Sequence, residues 1–115
     1  MRLLTLKKGN AEKTKFRSTT AWKKWRDFMK QESNGIDYVT HKKLYKTWNL
    51  HHLDESIENY QVLTADRFVA LNHQTHEMVE WLWKYYRKDP EVIDRLLDVM
   101  RRMAEFECCN NIERH

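Results

Sequence analysis

Apolar residues along this chain fall into five patterned blocks separated by polar stretches, and the spacing in each selects an element. Trp22, Trp25, Phe28 and Met29 recur at helical spacing just after the capping hydroxyls of Ser18-Thr19-Thr20, which predicts a helix over about 21–31. Ser33-Asn34-Gly35 is a stop and turn signal, and the segment to Lys43 has no apolar period and reads as loop. Residues 44–53 (Leu-Tyr-Lys-Thr-Trp-Asn-Leu-His-His-Leu) are rich in strand formers, and Arg67-Phe68-Val69-Ala70-Leu71 makes a second short strand after the irregular stretch 54–66. Val79, Leu82, Trp83 and Tyr86 form an i, i+3, i+4, i+7 stripe that predicts a helix over about 73–87. Asp89-Pro90-Glu91 starts a last helix, whose apolar face is Ile93, Leu96, Leu97, Met100 and Ala104, ending near Glu107.

This order of elements predicts an α+β, mostly helical fold in which a short two-stranded hairpin and a following helix are flanked by an N-terminal and a C-terminal helix. The 115 residues include one proline and two glycines, which leaves no obvious interdomain linker. A single domain is expected over 18–115, with its ββα part about 44–87, preceded by a basic, partly flexible arm over 1–17. Five Trp, five Tyr and four Phe supply large apolar side chains, so the chain is ordered despite its charge. Trp48, Trp81 and Trp83 are expected in the core instead of stacking on bases. Cys108 and Cys109 are adjacent, which fits neither a disulfide framework nor the CxxC spacing of a structural zinc site. No apolar stretch reaches membrane-spanning length, and Leu3–Leu6 is too short for a signal peptide, so a soluble, cytoplasmic protein with no membrane partner is expected.

Charge changes the picture by its distribution. Residues 1–48 carry thirteen Lys or Arg against four acids, a net of +9, while 49–115 carry eight against thirteen, a net of −5. The N-terminal part is therefore the polyanion-facing side. Lys23, Lys24, Arg26, Lys42, Lys43 and Lys46 are candidates for contacts to a nucleic-acid backbone, and a solvated basic face is the plain alternative.

Histidines carry the candidate chemistry. Leu50-His51-His52-Leu53 is followed by Asp54, and a further histidine, His76, falls in the first turn of the helix after the second strand. Adjacent strand positions point to opposite faces, so one imidazole of the pair can meet a metal while the other meets a substrate. His73 and His76 at i, i+3 also arise on solvated helices, and His41 and His115 read as exposed loop and tail residues.

The stretch from Leu50 to Trp83 resembles the ββα-metal motif of HNH (His-Me finger) endonucleases. Leu71-Asn72-His73-Gln74-Thr75-His76 is similar to that family's Leu-Cys-x-x-Cys-His, and Asn59-Tyr60 and Phe68-Val69 extend the match. The resemblance implies that His51 and His76 hold one divalent cation (Mg, Mn, Ni or Zn), that His52 is the general base, and that Asn59 is the candidate for the middle asparagine. Glu80 stands where relatives often have another histidine. Asn72 and Thr75 occupy the two cysteine slots, so the structural zinc of many relatives is absent and helical packing is expected to replace it. His73 and Asp54 are further candidates for holding the metal or orienting an imidazole.

The implied activity is metal-dependent hydrolysis of DNA phosphodiester bonds, by nicking or double-strand cleavage, leaving 5′-phosphate and 3′-hydroxyl ends. By analogy, the chain is similar to small HNH proteins of bacteriophages and prophages, acting in a bacterial host cell with packaging or genome-processing partners, as monomer or homodimer. Two other readings of the residues stand beside it. One is a non-cleaving nucleic-acid-binding or adaptor module on the same fold; the other is a small helical protein stabilised by a metal.

Overall fold

The computed structural model describes residues 11–113 of the chain, with side chains through Cys108. The protein is α+β and mostly helical, with a two-stranded antiparallel sheet. Residues 11–17 form helix α1 where the sequence suggested an arm. Ala11, Glu12, Lys13, Lys15 and Arg17 are helix formers, and Phe16 anchors them by reaching the core. Residues 1–10 of that arm lie outside the described residues.

Helix α2, Thr20–Glu32, starts as expected, with the Thr19 hydroxyl accepting from the Trp22 N–H at 3.2 Å. It ends where Asn34 and Gly35 take φ of 56° and 69° and their N–H groups donate to the carbonyls of Gln31 and Lys30, both at 2.9 Å. A side chain at Gly35 would meet nothing within 4 Å, so its left-handed backbone, and not space, is what calls for glycine. Of the apolar stripe, Trp22 and Met29 are buried and Trp25 is half-buried, while Phe28 stays exposed and stacks on Trp25 at 5.2 Å.

Strand β1, Asn49–His52, is shorter than the sequence suggested. Residues 44–48 are strand formers whose donors are taken elsewhere: Leu44 N–H by Gly35 O at 2.8 Å, Tyr45 N–H by Asn72 Oδ1 at 2.8 Å, and Trp48 N–H by Tyr45 O at 3.2 Å. That leaves no ladder to extend. Strand β2, Phe68–Leu71, pairs antiparallel with β1 in the register Asn49↔Leu71, Leu50↔Ala70, His51↔Val69, His52↔Phe68. Helix α3, His73–Tyr86, follows after one residue, and helix α4, Pro90–Glu113, runs past the expected end. The core gathers Phe16 from α1, Trp22 and Met29 from α2, Leu44, Trp48 and Tyr60 from connecting segments, and Leu50, Phe68 and Ala70 from the sheet.

Two side chains lock this arrangement. Arg26 donates to Trp48 O at 2.7 Å and lies 4.0 Å from the centre of the Trp48 ring, clamping α2 to the chain entering β1. Burial lowers its pKa, opposed by Asp27. Asp37, 0% exposed, accepts from Val39 and Thr40 N–H at 2.8 Å and from Asn72 N–H at 2.7 Å. Asn72 in turn donates through Nδ2 to Lys43 O at 3.0 Å. The 37–45 segment is thereby tied to the β2–α3 junction. Burial alone would raise the Asp37 pKa, but hydrogen bonds from Thr40, Asn72, Thr75 and Val39 outweigh it and hold the carboxyl below its usual value. Asn72 and Thr75 are both buried, so the junction expected to rest on helical packing rests instead on an ionised carboxylate.

The chain divides into two compact units between His76 and Glu77, within α3. In the second, Val79, Leu82 and Tyr86 are half-buried, whereas Trp81 and Trp83, expected in the core, are 54% and 57% exposed. No described helix is long and apolar enough to cross a membrane.

Candidate metal centre

The alternation of β1 separates the two adjacent histidines. Leu50 and His52 are buried and Asn49 and His51 half-buried, so His52 joins the core face and His51 the other. His52 lies between two rings, stacked on Tyr60 at 3.8 Å and 8° and on Trp22 at 5.1 Å and 10°, with Phe68 at 4.7 Å. Only 6% of the residue is exposed. Its Nε2 is 3.1 Å from Tyr60 O, and a carbonyl can only accept, so Nε2 carries the proton and Nδ1 the lone pair. Burial lowers the His52 pKa to about 4, helped by the charges of His51, Arg17 and Lys13 and opposed by the bond to Tyr60. The imidazole is neutral throughout the physiological range.

The loop that brings Tyr60 to His52 is held by Asp54. Its Oδ1 accepts from Ser56 N–H at 3.0 Å, and its Oδ2 accepts from Asn59 Nδ2 at 3.0 Å and from Arg67 at 3.1 Å. The Ser56 hydrogen bonds lead in lowering the Asp54 pKa, with Asn59 and Arg67 adding to them. Asn59 therefore braces the loop, one residue before the carbonyl that fixes the His52 tautomer.

On the other face, His51 meets His76 across a ring separation of 5.1 Å at 69°. His76 sits in the first turn of α3, its N–H donating to Asn72 O at 2.9 Å, so the Asp37-held junction also sets its position. Glu80 follows one turn later on the same helix face. One ligand atom each from His51, His76 and Glu80 lie within 4.8 Å of one another, and all three residues are half-buried. Ligands bonded at about 2.1 Å in a tetrahedral site are about 3.4 Å apart, so side-chain adjustments on the order of an ångström close the group. Two imidazoles and a carboxylate are a fitting donor set for a divalent transition ion, more so than for Mg²⁺, which favours oxygen ligands.

The other sequence candidates sort by position. Exposed His73 lies outside this group, as do half-buried Asp54 and the exposed loop residue His41, while His115 lies beyond the described residues. Lys23, Lys24, Lys42, Lys43 and Lys46 are exposed, but Arg26 is engaged by Trp48 and is not a free backbone contact. Sequence reasoning missed Lys13 and Arg17 as neighbours of the histidine pair. Lys13 Nζ is 5.0 Å from the Tyr60 ring centre, and Arg17 hydrogen-bonds the Tyr60 side chain. Their spacing of four in a basic helical segment was the available signal.

Zn²⁺, Ni²⁺ or Mn²⁺ at about 100 times its dissociation constant is expected to stabilise the fold by about 2.7 kcal/mol, raising Tm by roughly 10 °C. His76→Ala and Glu80→Gln should each remove most of that shift in a thermal melt. A shift equal in both variants would place the ion elsewhere. Among family models, curated proteins and solved structures, none matches this chain.

Proposed function

We propose that the protein is a metal-dependent endonuclease of the HNH type, built on a ββα-metal motif formed by β1, β2 and α3. The observation that carries this reading is the approach of His51 to His76 from two separate elements, with Glu80 beside them and His52 one residue from His51. His52 is the base of this reading, and Nδ1 is the nitrogen that would take the proton of the attacking water, because its Nε2–H is committed to the Tyr60 carbonyl; the ring lies on the core face and would have to be uncovered for water to reach it. Asp54, through Asn59 and Arg67, keeps that carbonyl in place. The exposed lysines of α2 and of the 42–46 segment hold the DNA backbone through sequence-independent contacts. A divalent ion bound by His51, His76 and Glu80 would polarise the phosphate and stabilise charge on the leaving 3′-oxygen.

Burial of His52 favours a second reading, in which the same fold binds nucleic acid and does not cut it. Incubating the protein with supercoiled plasmid and Mg²⁺, Mn²⁺, Ni²⁺ or Zn²⁺ separates the two. Nicking that stops with EDTA and with His76→Ala is the expected result. DNA binding without nicking under every metal selects the second reading.

A further inference from the structure

We infer that an apolar pocket at the outer edge of β2 receives one unpaired nucleobase, and that Glu32 selects a base carrying an exocyclic amino group. The inference rests on the proposed binding of nucleic acid and adds a base-reading part to it. The pocket lies between the C-terminal end of α2, the 36–41 segment and β2, with a volume of about 230 Å³. Complete ligand sites run to roughly 300–1,000 Å³, so this one has room for a single planar ring system.

Its lining suits such a ring. Met29, Ile36 and Phe68 supply apolar surface, and Tyr38 and His41 add two rings from the exposed loop. Tyr38 is 68% exposed, which leaves its ring free to stack on an incoming base. Glu32 is the one acid of the lining and is itself exposed. A carboxylate only accepts, so it pairs with the amino group of cytosine, adenine or guanine, and thymine has none to offer.

The sheet adds backbone groups. Leu53 N–H donates to Arg67 O at 2.8 Å in the register that pairs His51 with Val69, so the ladder bonds run through residues 67, 69 and 71. Phe68 and Ala70 therefore turn their N–H and C=O groups away from β1, towards the pocket that both residues line. Phe68 N–H goes to Ala65 O, and Ala70 O accepts from Tyr38 N–H at 2.9 Å. Phe68 O and Ala70 N–H remain directed outward, one acceptor and one donor for a base edge. An edge closed at both ends in this way is too short for an added peptide strand.

Charge and position favour a base of a bound strand. Exposed Lys30 adjoins Met29, and exposed Lys42 and Lys43 follow His41, so cations for the attached phosphate flank an apolar slot. Val69 also lines the pocket, and it is the cross-strand partner of His51. The slot and the metal-binding group thus stand on neighbouring strands, whose paired Cα atoms are about 5.5 Å apart. A base stacked in a duplex cannot enter such a slot, so the strand that uses it is single or has that nucleotide flipped out.

Amide shifts in two-dimensional NMR of the full chain test this in EDTA, where cleavage plays no part. The probes are the 5′-monophosphates of deoxycytidine, deoxyadenosine and thymidine, with ribose 5-phosphate as the base-free control, each to about 20 mM. The first two should shift the amides of Ile36, Tyr38 and Ala70, and thymidine monophosphate should bind at least about 5-fold more weakly. Tyr38→Ala should weaken binding by about 5–100-fold, and Glu32→Ala should bring thymidine level with the others. Both side chains are exposed, so both variants keep the fold. No shift of these amides with any nucleotide, equal shifts with ribose 5-phosphate, a thymidine monophosphate that binds as well as the others to the unsubstituted chain, or shifts with an extended apolar peptide in place of nucleotides overturns the inference. Plasmid nicking beside a silent pocket would discard this inference and keep the nuclease reading, and base binding without nicking would do the reverse.

Discussion

Asp37→Ala is expected to lower the unfolding free energy by about 3–5 kcal/mol, a large fraction of what a domain of this size possesses. The loss comes less from the carboxylate than from its partners. Val39, Thr40 and Asn72 each direct an N–H at it; the buried Asn72 donor left without an acceptor costs about 1–3 kcal/mol, and the two part-buried donors, with the turn they hold, add to it. Asp37→Asn keeps an oxygen for Val39 and Thr40 but can turn an amide NH₂ towards Asn72, so an intermediate loss is expected. The carboxyl's pKa is depressed in the folded state, so its contribution is complete above the unfolded value of about 4 and disappears as pH falls through the folded one. Urea titrations at pH 7 and at pH 3 should show the gap between wild type and Asp37→Ala narrowing in acid. A difference below about 1 kcal/mol at pH 7 would remove the hub from the account of stability.

The second large effect separates chemistry from folding at His52. Alanine there would open a void between Tyr60 and Trp22, whereas phenylalanine is a ring of suitable shape for an aromatic sandwich. His52→Phe is expected to stay folded and to lose about 10²–10⁴-fold in metal-dependent nicking, the usual scale of a removed general base. Its pH dependence carries independent information. The unfolded chain protonates this histidine below about 6.5 and the folded one only near 4, so acid favours unfolding across that window and no further below it. In metal-free buffer the wild type should lose up to about 3 kcal/mol between pH 6.5 and 4 from this group, and His52→Phe should lose correspondingly less. If the variant nicks DNA at the wild-type rate, His52 is not the base.

Much of this architecture was legible in residue order. The Thr19 cap, the stop at Asn34-Gly35, the strand at Phe68–Leu71 and the proline-led α4 are all local signals, and local hydrogen bonding realises them. The pairing of His51 with His76 was also within reach, because His51 on β1 lies beside Val69 on β2, and His76 sits in the first turn of the helix that follows β2 after one residue. What stayed hidden depends on partners far along the chain. Nothing near Asp37 announces that Asn72 will supply its third donor, and nothing near Tyr45 announces that its N–H will leave the strand ladder for Asn72 Oδ1. Arg26 looked like any lysine of α2 until Trp48 took it, 22 residues on. The tryptophans of α3 were misplaced for a related reason, since helical spacing gives a stripe but does not say what, if anything, lies against it.

The register of the sheet has a consequence for insertions and deletions. His51 and His52 differ in surroundings because four residues of β1 face four of β2 in one alignment. Slipping β1 by a single residue would turn His51 into the aromatic sandwich and move the neighbouring side chain out towards α3, exchanging the two environments without changing one amino acid. The stretch from Glu55 to Thr64 can therefore absorb added residues more readily than Asn49–His52 can lose one. Length variation among any homologues of this chain should collect in that loop and spare the strand.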